Sequence, residues 1–221
     1  MDKHGKDRLK DRVLDLIFPP KCPFCGRLVE RNTLLCGDCQ RELPWLVGPV
    51  CRKPVELTGG CVAVFRYQDR VREAVHAYKF RGRSGRAYCF GTLIAQQVAD
   101  QDLAFDLITW PPLSKKRLRQ RGYDQAELLA RRAGEVLEAP VVSTLHKSHR
   151  PAQSGLEDPA CRRANLLGAY TVPDPAAVAG KRVLLIDDVV TTGSTLSECA
   201  KMLELAGAQA VVCAALARAG D

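Results

Sequence analysis

The sequence predicts an α/β protein: a parallel sheet with helices on both faces, preceded by a small cysteine-rich module. Three observations predict it. From residue 62 onward, short apolar runs of strand type alternate with segments of helical period. One of those runs, at 183–186, ends in two acids and then a Thr-Thr-Gly-Ser-Thr turn that opens a helix. Near the N-terminus, two Cys-x-x-Cys units stand ten residues apart, a spacing that suits a metal site.

The elements follow in order. Leu9, Val13, Leu14 and Ile17 recur at helical spacing, so residues 7–18 read as an amphipathic helix, ended by Pro19 and Pro20. The cysteine module occupies 21–61, and 62–221 forms the larger domain, with 1–20 as a helical leader to both. Strands are expected at 62–67, 106–110, 140–145, 169–172, 182–188 and 210–217. Helices are expected at 70–80, 87–99, 123–137 and 195–207, the last closed by Gly207. Residues 146–167 are polar and irregular, with a short helix near 159–166.

Composition sets limits. The chain has 221 residues, 46% apolar and 26% charged, which is ordinary for a globular protein with its own core. Its longest apolar stretches fall well short of the roughly 20 residues of a membrane-crossing helix. The charged start and the absence of a small-residue cleavage site predict a cytoplasmic protein without membrane insertion. A net charge of +8 suits anionic partners, whether phosphorylated small molecules, nucleic acid or acidic lipid.

Ten cysteines are unevenly spread, six of them between Cys22 and Cys61. Cys22, Cys25, Cys36 and Cys39 offer four thiolates, the donor set of a closed tetrahedral Zn²⁺ site. Disulfides are the rival reading, but a secreted disulfide scaffold is shorter and denser. Cys51 and Cys61 lack their own Cys-x-x-Cys partners, and Pro54 stands where one would be, so a single zinc is expected.

The segment VLLIDDVVTTGST, residues 183–195, carries the most chemistry. Asp187 and Asp188 fall at the carboxyl end of a buried strand, where open α/β sheets bind ligands. The loop after them meets a helix N-terminus, whose free N–H groups and dipole favour an anion. Gly193 permits close approach, and Thr191, Thr192, Ser194 and Thr195 add hydroxyls. Two carboxylates beside a phosphate cradle repel phosphate itself but accept hydrogen bonds from sugar hydroxyls. A Walker-type site would need GxxxxGK[ST], and a dinucleotide fold an early GxGxxG; the chain has neither.

This segment resembles the phosphoribosyl-pyrophosphate motif of the type I phosphoribosyltransferases. With the Cys-x-x-Cys pair, RGYDQAELLA at 121–130, RPAQSG at 150–155 and RRANLLGAY at 162–170, nearly the whole chain resembles the ComF family, including ComFC and GntX-like proteins. The resemblance implies a type I phosphoribosyltransferase-like sheet and a zinc-ribbon-like module. It gives Asp187 and Asp188 the ribose hydroxyls, and Val189, Thr191, Thr192, Gly193, Ser194 and Thr195 the 5′-phosphate end. It puts the pyrophosphate loop near 110–113, with Pro111 and Pro112, in a WPP that admits a cis X-Pro bond.

The run KKRLRQR at 115–121, five basic residues in seven, resembles the family's flexible loop over pyrophosphate and brings Lys115 and Arg121 to the site. Lys79 is a further anion contact. The family commonly reads RGFNQ where this chain has Tyr123 and Asp124; a carboxylate facing pyrophosphate would weaken its binding. His76, His146 and His149 read as surface or packing residues.

Two functions from different classes follow. One is a Mg²⁺-dependent phosphoribosyltransferase whose acceptor is selected by the 146–167 hood. The other is a non-catalytic competence factor that binds single-stranded DNA, and competence proteins, under control of phosphoribosyl pyrophosphate. The resemblance links the family to DNA uptake in natural transformation, while aromatics at 6% argue against a stacking platform. The GntX-like branch adds sugar-acid metabolism by association. The zinc module suits a nucleic-acid platform, a protein contact or a folded cap.

Overall fold

The computed structural model describes residues 19–30, 33–147 and 169–220. The expected helices at 7–18 and 159–166 lie outside these residues, as does most of the 146–167 hood. The chain divides into two compact units, one reaching Leu43 and one starting at Pro44. Residues 44–61, assigned by sequence to the cysteine module, thus cluster with the larger unit.

The smaller unit holds one described helix, α1 (Gly37–Glu42), opened by Cys36 as N-cap. In the larger unit, β1 (Arg52–Lys53) and β2 (Cys61–Arg66) precede α2 (Asp69–Phe80) and α3 (Ala87–Asp100). Next come β3 (Leu107–Thr109), α4 (Lys115–Arg121), α5 (Gln125–Leu137) and the short pair β4 (His146–Lys147) and β5 (Tyr170–Thr171). The chain ends with β6 (Arg182–Val190), α6 (Ser194–Leu205) and β7 (Ala210–Arg218). The main sheet has the order β1-β2-β7-β6-β3. It is parallel except for β1, which runs antiparallel to β2 at the edge.

The sheet is covered on both faces, as the near-continuous apolar runs of β6 and β7 require. Val183, Leu185, Val211, Cys213 and Ala215 pack under Leu196, Cys199, Ala200 and Leu203 of α6. On the alternate face Leu184, Ile186, Ala214 and Leu216 are buried, where α3 and α5 pack on each other and on β2, β6 and β7. Each fully buried Leu or Ile contributes roughly 2 kcal/mol. Lys181 and Gly207 close the bottom of β6 and α6 by backbone hydrogen bonds to Gln209 and Gly180.

Two expectations are corrected. The strand at 140–145 shrinks to a single parallel bridge, Ile108 to Val141, with Ile108 N–H donating to Pro140 O and Val142 N–H to Ile108 O, both at 2.9 Å. Gly134 is what lets it dock: a Cβ there would lie 2.2 Å from Val141 Cγ2. The basic run 115–121, expected as a flexible loop, is the helix α4. Ser114 caps it through the Arg117 N–H, and Gly122 ends it at φ 80°. Among the described residues every peptide bond is trans, including those of WPP.

Asp124 is also explained. It is the N-cap of α5. One carboxylate oxygen accepts from Ala126 N–H at 3.1 Å and Glu127 N–H at 3.3 Å, while the other accepts from Leu113 N–H at 2.8 Å. The carboxylate is therefore spent on backbone donors, and it ties the 110–114 segment to α5. Burial still holds its pKa above the usual carboxylate value. Asp124→Asn keeps one oxygen for the cap but turns an amide toward Leu113. Stability should fall by about 1–2 kcal/mol, and hydrogen exchange at the Leu113 amide should accelerate while the amides of Ala126 and Glu127 stay protected.

Candidate functional site

The site starts from β6. This strand outruns β3, which pairs only with Val183, Leu184 and Leu185. The upper half of β6 therefore borders the 110–114 segment, where Pro111 is buried and Pro112 half-buried. Asp187 and Asp188 lie inside β6 near its end, followed by Val189, half-buried and paired with Ala217.

Consecutive strand residues face opposite sides, and the two acids do so. Asp188 turns to the α2 face, where its Oδ1 meets Lys79 Nζ at 2.7 Å. Burial opposes the charge on Lys79, but Asp188 and then Asp187 outweigh it, and the Lys79 pKa is raised. Asp187 turns to the α6 face, beside Cys199 and Tyr170, whose pKa values are raised first by burial and then partly by this acid. One of its oxygens accepts from the Asp188 N–H at 2.7 Å. Loss of hydration, reinforced by the Asp188 charge, pushes Asp187 up to about 7.

The loop after β6 is tight. Gly193 is buried at φ 80°, and a Cβ there would lie 3.1 Å from Val55, so both backbone angle and space call for glycine. Thr191 and Thr192 are exposed, while Ser194 and Thr195 are half-buried. Thr192 and Ser194 share a hydroxyl hydrogen bond of 2.8 Å. The N-cap of α6, Gly193, has no side chain to cap it, and the Ser194 N–H donates to Thr192 Oγ1 at 3.4 Å; the positive end of the dipole faces the loop.

Other expected residues spread along this rim. Arg121 ends α4 and is half-buried: its Nη1 donates to Gln125 Oε1 at 2.6 Å, and its guanidinium lies 4.8 Å over the Phe80 ring. Lys115, at the exposed start of α4, makes no ion pair with either acid. The geometry thus joins Lys79 to Asp188 and, through Phe80, sets Arg121 beside the same helix end. Three residues escaped the sequence reading. Lys53 donates to Ala219 O at 2.8 Å and to Thr191 O, clamping the loop after β6. Lys147 donates to the Tyr170 hydroxyl at 2.8 Å, on the side of Asp187. Gln125 holds Arg121. None belongs to a periodic pattern that would mark it.

The four cysteines of the smaller unit come together. The sulfurs of Cys22, Cys25, Cys36 and Cys39 lie within 4.8 Å of one another, and all are free thiols. Two backbone turns build the cluster. Gly26 N–H donates to Cys22 O at 2.9 Å in the first, and the Cys36 sulfur accepts from Cys39 N–H at 3.5 Å in the second. That N–H lowers the Cys36 pKa to about 7. Burial raises those of Cys25 and Cys39, so only a bound cation lets all four thiols ionise together. The donor set and its closeness fit structural zinc. Cys51 and Cys61 are buried in the larger unit and form no second such cluster among the described residues. Chelation at neutral pH should release one zinc per chain and expose the amides of Cys22, Gly26 and Leu43 to rapid exchange; exchange unchanged by chelation would contradict the site.

Comparison with known proteins agrees with this architecture. A double zinc ribbon domain matches residues 13–58 and a phosphoribosyl transferase domain matches residues 119–221. Competence protein F of Haemophilus influenzae is 29% identical over 90% of this chain and 85% of its own. The DNA utilization protein YhgH of Salmonella typhimurium is 31% identical over 86% of this chain and 80% of its own. Competence protein ComFC of Streptococcus pneumoniae is 29% identical over 94% and 85%. Among the described residues no helix is long and apolar enough to cross a membrane. Sequence, fold and cysteine cluster together make this chain a member of the ComF family, with a phosphoribosyltransferase-type domain behind an N-terminal zinc ribbon.

Proposed function

We propose that the upper end of β6 binds phosphoribosyl pyrophosphate with Mg²⁺, and that the protein is a phosphoribosyltransferase acting in DNA uptake. The observation that carries this reading is the pair of acids near the end of β6, followed by a hydroxyl-rich glycine turn into the N-terminus of α6. Sugar hydroxyls donate to Asp187 and Asp188. The 5′-phosphate takes the N–H groups and hydroxyls of 191–195. Pyrophosphate lies toward Pro111, Pro112 and the cations Lys79, Lys115 and Arg121. The names of the similar competence and DNA utilization proteins support the pathway.

Magnesium fits this arrangement. Outside the cysteines, no described cluster gathers three metal-ligating side chains. The two acids supply hard oxygen donors, and the rest would come from the sugar pyrophosphate and water, as Mg²⁺ prefers. When bound, the ion would neutralise charge on the departing pyrophosphate. In the reaction an acceptor nitrogen forms a bond to ribose C1 as the C1–oxygen bond to pyrophosphate breaks, and that electron pair leaves with pyrophosphate. The protein's part is orientation and fixed positive charge.

A second reading, single-stranded DNA binding under control of the same ligand, draws on α4. Lys115, Lys116, Arg117 and Arg119 are exposed there. The two readings part on one assay: protein, Mg²⁺ and phosphoribosyl pyrophosphate with a panel of bases and amines, followed by pyrophosphate release. Acceptor-dependent release supports the enzyme; retained binding without release supports the DNA-binding protein.

The double variant Asp187→Ala, Asp188→Ala should lose calorimetric heat with phosphoribosyl pyrophosphate, and unchanged heat would defeat the site. Asp187 also leaves a mark on stability. Its folded pKa is raised, so between about 4 and about 7 the folded form holds a proton that the unfolded form has lost. Stability therefore falls as pH rises through that window. Asp187→Asn should flatten this part of the denaturation profile.

A further inference from the structure

Gln125 is the first residue of α5 and only 1% exposed. A buried amide is costly unless its groups are partnered. Here each is used. Oε1 accepts from Arg121 Nη1 at 2.6 Å, and Nε2 donates to Tyr123 O at 3.2 Å. The backbone carbonyl of Gln125 accepts from the Tyr78 hydroxyl at 2.8 Å. The Tyr123 hydroxyl donates in turn to the Tyr78 carbonyl. Tyr78, Gln125 and Tyr123 therefore close a ring of hydrogen bonds between the end of α2 and the start of α5.

Two cations hang on that ring. Lys79 follows Tyr78 in the chain and pairs with Asp188 at 2.7 Å. Arg121 is held by Gln125 and lies 4.8 Å over Phe80, the residue after Lys79. Cations far apart in sequence thus share one rigid frame. An arginine side chain has much rotamer freedom to lose, and fixing it beforehand lowers the cost of meeting an anion.

We infer that Gln125 is a positioning residue, whose side chain sets Arg121 toward the pyrophosphate end of the ligand. This rests on the reading of the site given above. Gln125 acts on the pyrophosphate half through Arg121, whereas the sugar phosphate is held by β6 and the loop before α6.

The test compares two ligands by calorimetry with Mg²⁺ present: phosphoribosyl pyrophosphate and ribose 5-phosphate, which lacks pyrophosphate. Gln125→Ala should weaken the first about tenfold, the scale of one lost charge-assisted hydrogen bond. It should leave the second within about twofold, well under the 1.4 kcal/mol that a decade in affinity represents. Gln125→Glu keeps an oxygen for Arg121 but loses the N–H given to Tyr123 O, and should lose less pyrophosphate affinity than Gln125→Ala. Tyr78→Phe removes only the hydroxyl of the ring and should show a smaller loss with the same ligand preference. Equal weakening of both ligands by Gln125→Ala and Tyr78→Phe marks the ring as merely structural and overturns the inference, as does unaltered pyrophosphate affinity in Gln125→Ala. If the unaltered protein binds neither ligand, the site reading itself is wrong and the positioning role goes with it.

Discussion

A strand shows successive side chains to opposite faces, and β6 carries its two acids in succession. Much of the site follows from that constraint. Asp188 falls on the helix-pair face and finds Lys79, so one acid enters a buried ion pair. Asp187 falls on the α6 face among Cys199 and Tyr170, where desolvation and the neighbouring charge favour its neutral form. One acid is thus tied to a lysine and the other is pushed toward its neutral form, although their side chains are chemically the same. Removing a single residue from β6 between the core and the acids would exchange their faces.

The backbone plan was legible because it depends on local patterns. The apolar runs of β2, β6 and β7 and the amphipathic α2, α3 and α5 came out within a residue or two of their observed ends. The glycine at the start of α6 was legible too, since a turn from strand to helix demands it. Readings failed where a partner decides the structure. The family resemblance of the 115–121 run implies a flexible loop, whereas Ser114 and Gly122 supply both caps of a helix. Residues 140–145 have strand chemistry but only one place to pair, beside Ile108. Asp124 was weighed as an anion facing an anion; three backbone donors claim it instead. Lys53 bonds to carbonyls remote in sequence, which no spacing rule reaches, and Gln125 lies inside the RGYDQ stretch, which marked the segment but not the hold on Arg121.

The cysteine unit uses a different source of order. Among its described residues the buried apolar side chains besides cysteine are Phe24, Leu35 and Leu43. Four sulfurs gathered on two tight turns give it the donor set of a structural zinc site. The surrounding charges are local: Asp38 takes both Arg27 and Arg41, within its own unit. Cys51 and Cys61 show the contrast. They sit in the larger unit's interior and behave there as small apolar residues.

The outer strands of the sheet carry a further consequence. On one side β1 is two residues long and runs straight into Pro54, which has no N–H to offer. On the other side the segment around Val141 covers β3 through a single bridge. A stray chain seeking to add itself to either border meets only about 7 Å of usable template. That brevity guards against edge-to-edge stacking between molecules, a protection that a long, aliphatic β6 or β7 would lack if it stood at the border instead of in the middle.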